Sequence, residues 1–356
     1  MDKKRKVRIG TCLPGMVTAE TIYNNYGAVI VWENTKLDDS AINRLKDFRI
    51  EDIFIFESSL PHNQEQPPEE TTTARVEEAP FTEVYEKDTD AFKSVLYDLS
   101  TGKTVSLNKT IEIANSVYSR KNDNRDIINC VTQIRKVDEY TYYHSVNVSL
   151  LSMLIGKWLK LSSDDIYMLV QAGLMHDIGK SLIPSDLINK PGELTEEEFL
   201  KMKKHSEFGY YLVKNMKGVD SRVSEAVHYH HEREDGSGYP FGLRGDQISQ
   251  FAKIVAVADT FDSMTANRAF KLKKSPFEVF EMMQNSCFGY LNTVIIDVFL
   301  ANISHYYVGY KVKLSDKRIA EVVYINRQHY GKPVLKINDA FLDMSVVKNV
   351  AIEEVI

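Results

Sequence analysis

The feature that most constrains this chain is a set of histidines and aspartates placed on the apolar faces of helical segments. His205 shares a helical stripe with Phe199 and Met216, and His230 follows Val227 at helical spacing. A buried polar or charged side chain is costly unless it is paired or coordinates a metal. The set comprises His144, His176, Asp177, His205, His230, His231 and Asp259. So many inward ligand-type residues favour one shared polar site over unrelated core histidines.

The pattern of the chain changes twice along its length. Residues 1–57 alternate strand patterns ("GAVIVW", "DIFIF") with a short helical one ("DDSAINRLKDF"), which predicts a small α+β module. Residues 58–80 hold four of the ten prolines among Glu and Thr, which predicts a linker. Residues 81–306 read as helical, and residues 307–356 contain the strand patterns "YKVKL", "IAEVVYI" and "PVLKI". We therefore expect a mainly α protein with small flanking N-terminal α+β and C-terminal β modules.

Two helix starts are marked by capping residues. Thr195 and Glu198 have the spacing of a capping box ahead of "FLKMKKHSEFGYYLVKNM". Asp164 is expected to cap the helix that runs through "IYMLVQAGLMHDIGK". The segment "VSLLSMLIGKWL" is too short for a membrane span and reads as a core helix.

Charge and cysteine usage narrow the class of protein. The net charge of −6 argues against a broad electrostatic surface for a DNA or RNA polymer. The three cysteines, Cys12, Cys130 and Cys287, are scattered, which suits a reducing compartment and predicts a cytoplasmic protein without a membrane span.

The chemistry of the inward residues points to metal ions. Imidazole with carboxylate favours zinc, iron or manganese over magnesium or calcium. Seven ligands are too many for one ion and suit two ions that share a carboxylate, for which Asp177 is the natural bridge because it follows His176. Paired metals activate a shared water and stabilise an in-line displacement at phosphorus. Lys180, one helical turn after His176, would contact a phosphate oxygen. The residues therefore predict metal-assisted phosphoester hydrolysis, whereas His228 faces away from His230 and is not expected to be a ligand.

The motifs that carry these residues resemble the HD-GYP family, a branch of the HD phosphohydrolases. The resemblance rests on "HHEREDGSGYPFGLRGDQI" and "HDIGK", together with "DEYTYYHSVNV", "KPGELTEEEFLKMKKHSEFGYYL" and "AKIVAVADTFDSMTANRAFK", and it covers residues 130–285. It implies a helical domain, two or three iron, manganese or similar ions, and hydrolysis of the bacterial messenger cyclic di-GMP to linear pGpG or to GMP.

The resemblance also implies roles for individual residues. The seven inward residues match the family's metal ligands, among which His176 and Asp177 match the pair that names it. Asp177 and Lys180 are the expected catalytic residues. Lys180 matches a phosphate-contacting lysine, and Tyr239 matches a residue that lines the nucleotide site. Further substrate contacts are implied for Arg268, Lys271 and Asp138.

One position departs from the pattern of some members. Those with a third metal carry a Glu four residues before the first histidine, where this chain has Tyr140. Glu139 is one position further back and projects about 140° around the helix from His144. We therefore expect two divalent ions, iron or manganese, with zinc, nickel or cobalt as alternatives.

Other functions remain open at this point. The chain could be a catalytically weak receptor for a cyclic dinucleotide, or an HD phosphohydrolase that acts on another nucleotide. A pure receptor has no need to keep all seven ligands and Lys180, so we expect an enzyme. Family members often dimerise, and the sequence leaves a homodimer open, as it does the roles of the two flanking modules.

Overall fold

A computed structural model of the protein shows two compact units, Met1–Glu78 and Ala79–Ile356. It describes residues 3–23, 29–31, 33–38, 41–42, 45–46, 50–57, 81–101, 108–119, 124–133, 140–266, 274–287 and 289–356. The predicted linker at 58–80 lies outside the described residues.

The first unit combines short strands with a small core. β1 (Lys4–Arg8) pairs antiparallel with β4 (Asp52–Phe56), and β2 (Ile22–Tyr23) pairs with β3 (Val29–Val31). Residues 41–42 and 45–46 are helical. The predicted strand "DIFIF" is β4, and it sends Ile53 and Ile55 into the core. The basic start of the chain, for which the sequence predicted no strand, is β1, and its lysines keep one edge of this pair polar.

The second unit is mostly helical, which confirms the predicted mainly α fold. Its α-helices in the described residues are α1 (Phe81–Ser100), α2 (Asn108–Tyr118), α3 (Asn124–Gln133), α4 (Tyr140–Trp158), α5 (Ser163–Met175), α6 (Ser185–Ile188), α7 (Glu196–Val213), α8 (Ser221–Tyr229), α9 (Gln250–Thr265), α10 (Pro276–Asn285) and α11 (Thr293–Ile303). The turns Ile178–Leu182, Gly245–Gln247 and Ser304–Tyr307 are 3-10 helices.

Helix α4 is the centre of this unit. It packs against α1, α5, α9 and α11, and residues 143–156 are all buried. A helix enclosed on every side must be apolar or internally satisfied around its whole circumference. The buried part of "VSLLSMLIGKW" is mostly aliphatic, and Ser149 donates to the Val170 carbonyl at 2.9 Å, so the predicted core helix is confirmed.

The two predicted helix caps had different outcomes. The capping box at Thr195 and Glu198 is present, with both reciprocal hydrogen bonds formed. The prediction that Asp164 caps α5 was wrong. Ser162 has the extended backbone of an N-cap and accepts a hydrogen bond from the Asp165 amide, so Asp164 already lies in the first helical turn.

The C-terminal residues form one antiparallel sheet. Its strands are β5 (Lys311–Leu314), β6 (Ile319–Tyr324), β7 (Val334–Ile337), β8 (Ala340–Asp343) and β9 (Ile352–Val355), in the spatial order β8-β7-β6-β5-β9. The sequence predicted β5, β6 and β7 but not β8 and β9. Val312 and Leu335 belong to the same buried cluster as the helices, and the Tyr330 hydroxyl donates to Asp297 on α11 at 3.1 Å. A separate C-terminal module beginning at residue 307 stays a prediction.

Within the described ranges, no helix has both the length and the apolarity that crossing a membrane requires.

Candidate metal centre

The seven inward residues predicted as ligands meet inside the second unit. They lie on α4 (His144), at the end of α5 (His176, Asp177), on α7 (His205), at the end of α8 (His230, His231) and on α9 (Asp259). They form two groups, and within each the potential ligand atoms lie within 4.8 Å of one another. We call Asp177, His205, His230 and His231 the His205 cluster, and His144, His176 and Asp259 the His144 cluster.

The Asp177 carboxylate lies between the two clusters. Its Oδ1 atom is 3.4 Å from His205 Nε2 and 4.0 Å from His230 Nε2. Its Oδ2 atom is 3.3 Å from His176 Nε2 and 3.6 Å from His144 Nε2. Each oxygen therefore faces a different group of imidazoles, which is the arrangement that a bridging carboxylate needs.

Hydrogen bonds on the outer side of the rings set the direction of their lone pairs. Three rings place Nδ1 against the backbone carbonyl three residues earlier: His176 on Gly173 at 2.8 Å, His205 on Met202 at 2.7 Å and His230 on Val227 at 2.8 Å. A carbonyl only accepts, so these contacts assign the proton to Nδ1. The Nε2 lone pairs then point into the centre, as in metal sites where the second nitrogen fixes the ring.

The centre contains buried polar atoms that protein partners do not satisfy. His176 Nε2 and Asp177 Oδ1 are buried without a hydrogen-bond partner. His205 Nε2 lies 3.4 Å from His230 Nε2, and both atoms are acceptors because each ring carries its proton on Nδ1. Converging acceptor atoms repel one another unless a cation lies between them. The donor set of imidazoles and carboxylates therefore fits divalent transition metals.

The protonation states agree with this donor set. Burial lowers the pKa of His205 to about 4. Burial and the neighbouring rings hold the pKa of His230 and of His231 well below the usual range. Burial alone would raise the pKa of Asp177, but the Lys180 ammonium and the neighbouring imidazoles outweigh it, so this pKa lies well below its usual range. At neutral pH the imidazoles of His205, His230 and His231 are thus neutral, and the Asp177 carboxylate is charged.

The turn that carries Lys180 packs directly on α7. Lys180 Nζ lies 2.5 Å from Asp177 Oδ2 and is partly exposed. Next to it, a Cβ on Gly179 would lie 2.0 Å from the His205 carbonyl oxygen and 2.4 Å from the Gly209 amide nitrogen. Only glycine permits this approach, so the third position after the histidine in "HDIGK" fixes the distance between Asp177 and His205.

The Gly-Tyr-Pro loop folds back onto His231. The Tyr239 ring stacks on the His231 ring at 4.6 Å between centroids, and its amide donates to the His231 carbonyl at 3.2 Å. Burial raises the pKa of Tyr239, so its hydroxyl stays protonated. The Glu232 carboxylate anchors the far side of the loop by accepting from the amides of Phe241 at 2.7 Å and Leu243 at 2.9 Å.

Sequence reasoning missed two residues beside this loop. Phe199 was assigned to an apolar stripe, but 46% of it is exposed, and it meets the Tyr239 ring edge-on at 6.4 Å. Lys203 Nζ lies 4.6 Å from the Phe199 centroid and 5.2 Å from the Tyr239 centroid. Their i,i+4 spacing just before His205 was the available signal. Together the three residues form what we call the Phe199 rim.

Sequence reasoning also missed Asp262, which lies behind His144. It follows Asp259 by three residues on α9, so both carboxylates lie on the same face of the helix. This spacing in "DTFD" was the signal that could have found it.

Other residues singled out in the sequence lie elsewhere. His228 is outside both clusters, buried with its ring stacked on Tyr210. Arg268, Lys271 and Asp138 lie outside the described residues, as does Glu139, so their predicted roles stay predictions.

The chain is similar to several known proteins. A family model described as "HD domain" matches residues 120–287. The cyclic di-GMP phosphodiesterase PA4108 of Pseudomonas aeruginosa is 30% identical over 245 residues, which are 69% of this chain and 58% of that protein. The 3'3'-cGAMP-specific phosphodiesterase 1 of Vibrio cholerae is 38% identical over 171 residues, 48% of this chain and 39% of that protein. The chain thus spans less than two thirds of either relative.

A solved structure shares the fold. Bd1817, an HDG"Y"P protein from Bdellovibrio bacteriovorus, superposes with a TM-score of 0.51 at 17% sequence identity, covering 83% of this chain and 98% of that one. The family match covers every residue of both clusters, and the resemblance seen in the sequence is confirmed. The chain belongs to the HD-GYP family of HD-domain proteins.

Proposed function

We propose that this protein is a metal-dependent phosphodiesterase that hydrolyses cyclic di-GMP. The observation that carries the proposal is the Asp177 carboxylate, whose two oxygens face the His205 cluster and the His144 cluster separately. The cyclic di-GMP phosphodiesterase among the relatives supports the choice of substrate.

We further propose that the centre holds two ions. The His205 cluster would hold one and the His144 cluster the other, with Asp177 shared between them. Such a pair supplies an activated water and neutralises charge on the phosphate. The imidazole and carboxylate ligands support iron or manganese, with zinc, nickel or cobalt as alternatives.

The chain's own residues would bind and orient the substrate. Lys180 can contact a non-bridging phosphate oxygen, because its ammonium lies beside the Asp177 carboxylate and is partly exposed. Tyr239 keeps its proton and can donate a hydrogen bond beside His231. The Phe199 rim adds an exposed aromatic face for a purine and a second ammonium group, and stacking on an aromatic ring contributes about 1–3 kcal/mol per base. Asp138, Arg268 and Lys271 stay predicted substrate contacts.

A related cyclic dinucleotide is the second candidate substrate. The 3'3'-cGAMP-specific relative supports it, and a stacking platform such as Phe199 accepts either purine. A receptor that binds without cleavage is less favoured, because Asp177, Lys180 and both clusters are assembled together. The cytoplasmic location, a homodimer and a regulatory role for residues 1–57 stay predictions.

The proposal is tested by turnover with a matched variant. Protein loaded with Fe(II) or Mn(II) is incubated with cyclic di-GMP and with 3'3'-cGAMP, and linear products are separated by chromatography. We expect pGpG or GMP from the wild type and none from Asp177→Ala, since this change removes the shared ligand. Glu197→Gln, an exposed charge change on α7, serves as the control.

Three outcomes would contradict parts of the proposal. Tight binding of the dinucleotide without product under both metals would favour a receptor. Full activity of Asp177→Ala would refute the site. Metal analysis near three equivalents per chain would refute the two-ion arrangement.

A further inference from the structure

A chain of buried hydrogen bonds leads from His144 to helix α1, away from both metal clusters. His144 Nδ1 lies 2.7 Å from Asp262 Oδ2. The other oxygen of Asp262 accepts from the Asn147 amide nitrogen at 2.9 Å. The Asn147 carbonyl oxygen accepts from the Tyr85 hydroxyl at 2.5 Å. All four side chains are buried, with no more than 3% of any of them exposed.

The chemistry of the partners fixes the direction of each bond. A carboxylate only accepts, so Asp262 requires protons from both His144 Nδ1 and Asn147 Nδ2. The opposite orientation of the Asn147 amide would place its carbonyl oxygen against the carboxylate. The amide oxygen therefore faces Tyr85, whose hydroxyl donates. With its proton held on Nδ1, His144 directs the Nε2 lone pair toward Asp259 Oδ1, 3.1 Å away, and Asp177.

The last side chain in this series of hydrogen bonds belongs to a helix that carries no candidate metal ligand. Asn147 and Asp262 lie on α4 and α9, which also carry ligands, but Tyr85 lies on α1, which carries none of the seven. Residue 85 also lies outside the segment matched by the HD-domain family model, residues 120–287. Helix α1 therefore bonds to the residues behind His144 through a side chain that lies outside the segment matched by this family model.

We infer that Tyr85 and Asn147 are positioning residues that hold Asp262, and through it the His144 ligand, in the orientation that binds metal. The inference rests on the proposed metal centre. Groups that orient a ligating histidine change metal affinity by about 10–100-fold when they are removed. The Tyr85 hydroxyl lies two hydrogen bonds further out than Asp262, and its removal deletes a single hydrogen bond, which corresponds to about a two- to tenfold change. The position of α1 would thereby influence the metal affinity of the His144 cluster.

The test is a metal titration of the wild type, Tyr85→Phe and Asp262→Asn. Metal-free proteins are titrated with Mn(II) against a competing chelator, and the visible absorption of the Co(II) form reports ligand geometry. We expect Tyr85→Phe to weaken one of two binding events about two- to tenfold and Asp262→Asn to weaken the same event about 10–100-fold. The second event, assigned to the His205 cluster, should stay unchanged.

Tyr330→Phe is the matched control. Tyr330 is a buried tyrosine of the same unit whose hydroxyl donates to the side chain of Asp297, as that of Tyr85 donates to the side chain of Asn147, but it is not part of this series of hydrogen bonds. Its removal should lower the melting temperature without changing either metal affinity. Affinities and Co(II) spectrum of Tyr85→Phe equal to those of the wild type would overturn the inference.

Asp262→Asn decides the question if Tyr85→Phe does not fold. Unchanged metal binding in that variant would also refute the proposed role of this series of hydrogen bonds. A wild type that binds no metal would overturn the proposed function as well, so the two failures are distinguishable.

Discussion

Replacing Glu232 by glutamine should loosen the loop that carries Tyr239 while leaving the metal ligands in place. Only 2% of Glu232 is exposed, and each of its oxygens accepts one backbone amide hydrogen. Glutamine keeps one acceptor but turns an NH2 group toward the other amide. The loss of one charge-assisted hydrogen bond, with a partly buried amide left unpaired, costs about 2–4 kcal/mol. This cost falls on the segment from Glu232 to Leu243.

Hydrogen exchange measures this cost directly. Because the free energy of local opening sets the exchange rate of a protected amide, the amides of Phe241 and Leu243 should exchange about 30- to 1,000-fold faster in Glu232→Gln. The KM for the cyclic dinucleotide should rise more than kcat falls, since His230 and His231 precede the loop. Glu197→Gln is the surface control. Exchange at these two amides that matches the wild type would refute the assigned role of Glu232.

Gly179, Phe199 and His205 can each be tested separately. Gly179→Ala places a Cβ against the His205 carbonyl, so we expect a loss of about 1–3 kcal/mol or more in unfolding free energy and less metal bound; Gly10→Ala, with no atom within 4 Å of its Cβ, should change neither. Phe199→Ala should raise the KM for cyclic di-GMP about tenfold and leave hydrolysis of bis(p-nitrophenyl) phosphate unchanged. Tyr211→Ala, which removes an exposed aromatic ring from the same helix, should leave both activities unchanged. Equal loss of activity on both substrates in Phe199→Ala would contradict a base-stacking role. The metal-free protein should lose stability as the pH falls from about 6.5 to 4, because the unfolded chain protonates His205 near its usual pKa whereas the fold holds that pKa at about 4. This contribution of His205 to the free energy of unfolding is about 3 kcal/mol and is fully present above pH 6.5. Urea titrations of His205→Gln should lack this pH-dependent contribution.

Local sequence determined the parts of this protein that depend on near neighbours. The capping box at Thr195 was readable because both partners lie within one turn. The set of seven candidate ligands was also readable, because so many histidines and aspartates on apolar helical faces favour one shared polar site. The family motif then tied His176, Asp177 and Lys180 to phosphate chemistry. In each case the signal came from residues that lie close together along the chain.

The tertiary structure decided what depends on distant contacts. Helical periodicity placed Phe199 on the same apolar stripe as His205. In the structure its ring is nevertheless exposed, at the edge of the site beside Tyr239. The partnership of Tyr85 with Asn147 joins helices that no local pattern connects. The sequence alone thus determined which side chains can bind metal and which segments are helical. The packing of α4 against α1, α5 and α9 decided which atoms meet. Hydrogen bonds and metal coordination are sensitive to changes in distance of a few tenths of an ångström, and only the assembled core sets distances that closely.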